Sequence, residues 1–274
     1  MLLTHIEKKM TTLVTEKLTV KILPTRKEMG QKAAVEVAEK ICELLAVKEE
    51  LNMIFAAAPS QQEFMDHLIQ DKTIEWQKIN AFHMDEYIGL DRNDPQAFGN
   101  FLRERLFDKV PFKNVYYINP QAQYVEAECE RYTKLLIEHP VDVVCLGIGE
   151  NGHIAFNDPH IADFNDPAWV KVVKLDLVCR QQQVNEKCFE ILESVPTHAI
   201  TLTIPTLLKA KYMFCVVPAR NKANAVYKAL TDTVSEALPA TILRTKENAI
   251  LYLDNESSFM INGKINHMSH INKT

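Results

Sequence analysis

Val141-Asp142-Val143-Val144-Cys145-Leu146-Gly147-Ile148-Gly149 reads as an almost wholly apolar strand that runs straight into a glycine-bearing loop. A strand apolar on both sides must be covered on both sides, which is the situation inside the parallel sheet of an α/β protein. Working outward, comparable apolar runs occur at 18–23, 53–57, 79–84, 212–217 and 249–253. Amphipathic helical stretches separate them. Residues 27–45 carry Ala33, Ala34, Val37, Ala38, Ile41, Leu44 and Leu45 on one helical face. Ser60 opens a second helix through residue 69, and another covers 221–230. Such alternation predicts an α/β fold: a three-layer, Rossmann-like, mostly parallel sheet with helices on both faces. Neither a repeat nor a linker interrupts the pattern, so residues 1–274 are expected to form a single domain, with 159–171 as a mobile loop.

Composition narrows the function. The chain has 274 residues, 47% hydrophobic and 24% charged, enough for a substantial core. With 7 glycines and 12 prolines, long flexible arms are not expected. The net charge is −5 and no basic run stands out. That argues against nucleic-acid and membrane partners, which need clustered Lys or Arg, but leaves a small anionic substrate open. Cys42, Cys129, Cys145, Cys179, Cys188 and Cys215 stand singly, without a CxxC pair. They fit reduced, mostly buried thiols better than a disulfide framework or a metal site. The stretch MLLTHIEKKMTTLVTEKL is too polar for a signal peptide, and no apolar run reaches membrane-spanning length. A cytoplasmic protein is expected.

Parallel sheets bind ligands where strands end and loops lead to the next helix. The junctions 56–61, 84–90 and 147–158 are therefore the first places to look. Gly147, Gly149 and Gly152 cluster in the last of them, shaping a loop around His153 with Asn151 and Asp158 nearby. A histidine can move protons near neutral pH, and an amide or carboxylate can orient its ring; equally, the residue can cap a turn. In the second junction Asp85 and Glu86 follow an apolar strand. Neighbours in extended chain point to opposite sides, so one acid can face a cleft as a base, unless both merely decorate a helix start. Ser60 with Glu63 matches a capping box, and the same turn can offer N–H groups to an anion. After the strand 212–217, Arg220 and Lys222 provide cations for a phosphate or a solvated helix face.

Two of these stretches together resemble a known family. Gly149-x-Asn151-Gly152-His153-Ile154-Ala155-Phe156-Asn157-Asp158-Pro159 is similar to the ring-opening loop of glucosamine-6-phosphate deaminases, and Phe82-x-Met84-Asp85-Glu86-Tyr87-Ile88-Gly89-Leu90 to their F-x-M-D-E-Y-x-G-L motif. The resemblance implies that Asp85 moves the proton between C2 and C1 of an opened aminosugar phosphate. It implies that His153 helps open the ring, with Asn151 and Asp158 beside it. The residues expected at the substrate and its phosphate are Ala57, Ser60, Gln61, Glu86, Gly152 and Lys222. No metal or organic cofactor is implied, the only partner is the small sugar phosphate, and relatives occur as monomers and as larger assemblies, so a homo-oligomer stays open.

The departures lie around the expected phosphate. The family's turn is of the T-G-S-T-P kind, whereas here it reads Ala57-Ala58-Pro59-Ser60-Gln61. Asp158 replaces Glu, retracting the carboxylate by roughly 1.5 Å, one carbon–carbon bond. Gln183 falls where relatives carry a phosphate-binding arginine, which makes Arg180 the candidate substitute. Galactosamine 6-phosphate or another sugar phosphate is therefore an alternative substrate. A 6-phosphogluconolactonase is disfavoured because the loop continues Ile154-Ala155-Phe156-Asn157, and a DNA-binding sensor because only residues 1–26 precede the first long helix. A stand-alone, non-catalytic sugar-phosphate sensor is a further alternative.

Overall fold

The computed structural model describes residues 10–261. The stretches 1–9 and 262–274, which carry part of the N-terminal reading and both ends of the expected domain, lie outside the described residues. In chain order the elements begin with β1 (Thr11–Thr15), β2 (Leu18–Leu23), α1 (Arg26–Leu45), β3 (Leu51–Phe55) and α2 (Gln62–Leu68). Next come β4 (Ile79–His83), β5 (Asp85–Tyr87), α3 (Phe98–Leu102), β6 (Asn114–Tyr116), α4 (Val125–Glu138) and β7 (Val143–Leu146). Then follow β8 (Val170–Lys174), α5 (Leu177–Asn185), β9 (His198–Leu202), α6 (Ile204–Leu208), β10 (Tyr212–Val217), α7 (Ala223–Thr231) and β11 (Ala249–Asp254).

The main sheet has eight strands in the order β1-β2-β11-β10-β7-β3-β4-β6. All of its pairings are parallel except the β1–β2 hairpin. Alternation along each strand divides the core into two layers. Val143, Cys145, Phe214 and Val216 pack with α1 and α2, while Val144, Leu146, Met213 and Cys215 pack with α4 and α7. Helices thus cover both faces, as the apolar runs predict. At the amino ends of β3, β4 and β6 three asparagines stand in register. Asn80 Nδ2 donates to Asn52 Oδ1 at 2.9 Å, and Asn114 Nδ2 to Asn80 Oδ1 at 2.8 Å.

A second, antiparallel sheet of order β5-β9-β8 was not expected from the sequence. β8 reads Val-Lys-Val-Val-Lys and leaves a face in solvent, so it lacks the continuous apolar signal. The loop expected to be mobile, 159–171, is tied down instead. Ile161 N and Ala162 N donate to Asp158 O, both at 2.9 Å, and Lys171 Nζ reaches Ile161 O at 3.0 Å. The capping box is also corrected. Ser60 lies inside a 3-10 turn (Pro59–Gln61) and caps nothing, because Glu63 accepts from Arg26 Nε at 2.7 Å.

Candidate functional site

From β3 the sheet grows through β4 to β6, and from β7 it grows the other way through β10 and β11. Loops leaving the carboxyl ends of strands on either side of such a switch point part and leave a crevice. Here a cavity of about 310 Å³ opens, lined by Ala57 and Ser60 after β3, Asp85 after β4, Gly149 and His153 after β7, and Lys222 after β10. That size suits a small ligand.

Asp85 enters the cavity because the chain changes sheets beside it. β4 stops at His83, Met84 O accepts from Leu202 N at 2.8 Å, and Asp85 pairs with Thr201 in the second sheet. His83 braces this step from beneath. Ile118 N donates to His83 Nε2 at 2.9 Å, so the proton sits on Nδ1, which contacts Asp85 O at 2.9 Å. Burial pushes the His83 imidazole down to about 4. Asp85 itself is 6% exposed, and among the described residues nothing donates to its carboxylate oxygens. Burial first, and the Glu86 charge second, hold the Asp85 carboxyl well above the usual range.

Glu86 points the other way, which corrects its expected place at the substrate. Its carboxylate accepts from Tyr87 N and Phe98 N at 2.9 Å and from Gly99 N at 2.7 Å, holding the first N–H groups of α3. Burial raises its carboxyl to about 7 against those bonds.

His153 is held in one orientation by a chain of polar contacts. Asn151 Nδ2 donates to Asp158 Oδ1 at 3.0 Å and to Asp176 Oδ2 at 3.1 Å, which turns Asn151 Oδ1 toward the ring. That oxygen lies 2.7 Å from His153 Nδ1, and Asp158 Oδ1 lies 3.2 Å from the same nitrogen. With two acceptors facing it, Nδ1 carries the proton and Nε2 is left to accept. Burial pushes the Asp158 carboxyl up, but the bonds from His153 and Asn151 outweigh it and leave it below its ordinary value. Asn151 and Asp158 therefore stand behind His153 rather than on the cavity wall. Gly149 lies directly under the imidazole, so close that a Cβ there would fall 2.1 Å from the ring.

Other expected residues part company with the cavity. Gly152, at φ +85, turns the loop against Leu238. Gln61 braces its turn onto β10, its Nε2 donating to Val216 O at 3.0 Å. Arg180 does not replace the missing arginine. Its Nη2 donates to Leu192 O at 2.6 Å and Val195 O at 2.8 Å, fastening α5 to a neighbouring loop, while Gln183 lines the cavity. Arg180→Ala is expected to lower stability by about 2 kcal/mol through loss of the charge-assisted bonds to Leu192 O and Val195 O, with phosphate affinity unchanged. Chemical denaturation alongside calorimetry checks this. Sequence reasoning missed Arg105, Glu186 and Lys187 on the cavity wall, because it searched strand ends, glycine clusters and the family's motifs, and none of the three lies at the end of a main-sheet strand.

His153, Asp158 and Cys179 bring donor atoms within 4.8 Å of one another. Burial and the neighbouring Asp158 and Asp176 charges keep the Cys179 thiol protonated, a form that binds metals poorly.

The family described as glucosamine-6-phosphate isomerases/6-phosphogluconolactonase matches residues 24–252. A glucosamine-6-phosphate deaminase of Bacillus thuringiensis (strain Al Hakam) is 37% identical over 215 residues, 78% of this chain and 80% of its own. A protein of the same name from Bacillus cereus (strain AH820) gives the same figures, 37% over 215 residues and 78% and 80% of the two chains. Among solved structures, a monomeric glucosamine-6-phosphate deaminase has a TM-score of 0.79 at 30% identity, covering 88% of this chain and 99% of that one. A 6-phosphogluconolactonase from Thermotoga maritima reaches 0.70 at 22% identity, covering 87% and 100%, which shows the shared fold alone. By sequence over most of its length, and by the sheet and crevice that sequence builds, the chain belongs to the glucosamine-6-phosphate isomerase/6-phosphogluconolactonase family.

Proposed function

We propose that the protein converts glucosamine 6-phosphate and water to fructose 6-phosphate and ammonia. One observation carries the reading: a buried carboxylate with no donor, Asp85, shares one small cavity with a histidine whose free nitrogen is Nε2. His153 moves the proton from the anomeric hydroxyl to the ring oxygen, opening the pyranose. Asp85 then takes the proton from C2 and returns it to C1, leaving an imine at C2. Water adds to that imine and ammonia leaves. Dry surroundings favour such a base, since a carboxylate stripped of water and hydrogen bonds holds a proton more strongly. Lys222 and Ser60 face the phosphate end. Galactosamine 6-phosphate, the epimer of glucosamine 6-phosphate at C4, is the second substrate to try. Six unpaired cysteines support a cytoplasmic enzyme, and we take its hydrolytic site to lie within one domain.

Purified protein given glucosamine 6-phosphate is expected to release ammonia and fructose 6-phosphate in equal amounts. Absence of both products from either aminosugar phosphate, with lactone hydrolysis instead, would overturn the reading.

A further inference from the structure

We propose that Arg105 is the main docking cation for the substrate's phosphate, assisted by Lys187; this rests on the sugar-phosphate reading of the cavity. The turn that follows β3 is short of donors. Pro59 has no N–H, and Gln61 N is spent on Ala58 O at 2.9 Å. Lys222 is only partly available, because its Nζ donates to Glu186 Oε1 at 3.0 Å within the same cavity. A dianion entering here meets one cation already paired with a carboxylate.

Arg105 lies on the same wall and is not so committed. It sits in a π turn (Arg103–Phe107) continuing from α3, marked by the bond from Asp108 N to Arg103 O at 3.0 Å. Such a turn inserts a residue and shifts the phase of the side chains that follow, and π turns recur at functional sites. The guanidinium stacks over the Phe101 ring, 4.1 Å from its centroid, and its Nε donates to Gln62 Oε1 at 2.8 Å. Gln62 directly follows the donor-poor turn, so the charge is brought to the place where donors are lacking. The nearest carboxylate, that of Glu104, is 3.7 Å from Nη1, which leaves Nη2 for a fork onto phosphate oxygens.

Lys187 makes the second argument. It occupies φ +61 just past α5, with Lys187 N donating to Val184 O and Cys188 N to Gln183 O, both at 2.9 Å. Glycine suits that left-handed position best. A lysine there brings a side chain to the cavity wall that glycine would lack.

Calorimetric titration of inorganic phosphate and of glucosamine 6-phosphate tests the assignment without relying on turnover. Arg105→Gln is expected to weaken both by about 10- to 100-fold, as loss of a charge-assisted pair does, with KM rising and kcat largely kept. Arg105→Lys should recover part of the loss, and Lys187→Gln should show a smaller one. Gln62→Ala keeps the charge but removes the partner that places the guanidinium beside the turn, and should show a loss smaller than that of Arg105→Gln. The proposal is overturned if Arg105→Gln binds both anions like wild type, or if wild type binds neither. Anion binding that depends on Arg105, without ammonia release, would reject the proposed reaction and leave this site standing.

Discussion

Asp85→Asn is expected to lower kcat for aminosugar-phosphate turnover by about 10³-fold, within the span usual for a lost general base. The same change is expected to raise stability at neutral and alkaline pH. Burial and the Glu86 charge favour the protonated Asp85 carboxyl in the folded state. The unfolded chain loses that proton near its ordinary value, about 3.9. Between the two values the folded state binds more protons, so stability is full below the lower one and falls as pH rises through the higher. Glu86, raised to about 7, adds a loss of the same sign. Asparagine stays neutral throughout and escapes the Asp85 part of the penalty. The gap in melting temperature between variant and wild type should therefore widen from pH 4 upward. Wild-type kcat/KM should climb over that range as Asp85 ionises. A variant that keeps its activity would remove Asp85 from the role of base, and one that melts earlier than wild type at pH 8 would refute the burial penalty on its carboxylate.

Gly149→Ala should cost nearly as much activity, about 10²-fold or more, by displacing a proton-transfer group without deleting it. The new methyl would sit 2.1 to 2.3 Å from His153 Cε1, Nδ1 and Nε2. The ring cannot yield by a small rotation, since Nδ1 is held by Asn151 at 2.7 Å and Asp158 at 3.2 Å. Either those contacts break or the loop moves. Both outcomes take Nε2 away from the ring oxygen it would serve. Because the two residues act through one imidazole, Gly149→Ala combined with His153→Gln should be no slower than His153→Gln alone. Additive losses would mean that Gly149 matters for another reason.

The main sheet was legible because burial on both faces writes itself into consecutive apolar residues; β2 and β10 fall where those runs lie. Strand ends and glycines drew attention to Asp85 and His153, which line one cavity, while their roles were implied only by the family resemblance. Pairings between distant segments were not. β5 meets β9 with β6, β7 and β8 lying between them in sequence, and nothing local in Asp85–Tyr87 announces its partner. Glu63 matched a capping pattern, yet Arg26 on α1 claims it through a contact that spacing cannot reveal. Arg180 has the right charge in the right stretch, but the phase of α5 turns it to the carbonyls of Leu192 and Val195. Arg105 stayed hidden because a π turn breaks the 3.6-residue period on which helical faces are read.

The row of Asn52, Asn80 and Asn114 lies at the end of the strands farthest from the cavity, yet it sets a tolerance there. A parallel strand displaced by one residue carries its loop about 3.3 Å along and exchanges its two faces. Asp85 hangs from β4 and the turn 57–61 from β3, so amides at the origin of both strands index one loop against the other. The spacing between Asp85 and the turn 57–61 is thus graduated remotely. Residues in the turn can change identity, as they have here, while that spacing stays in gauge.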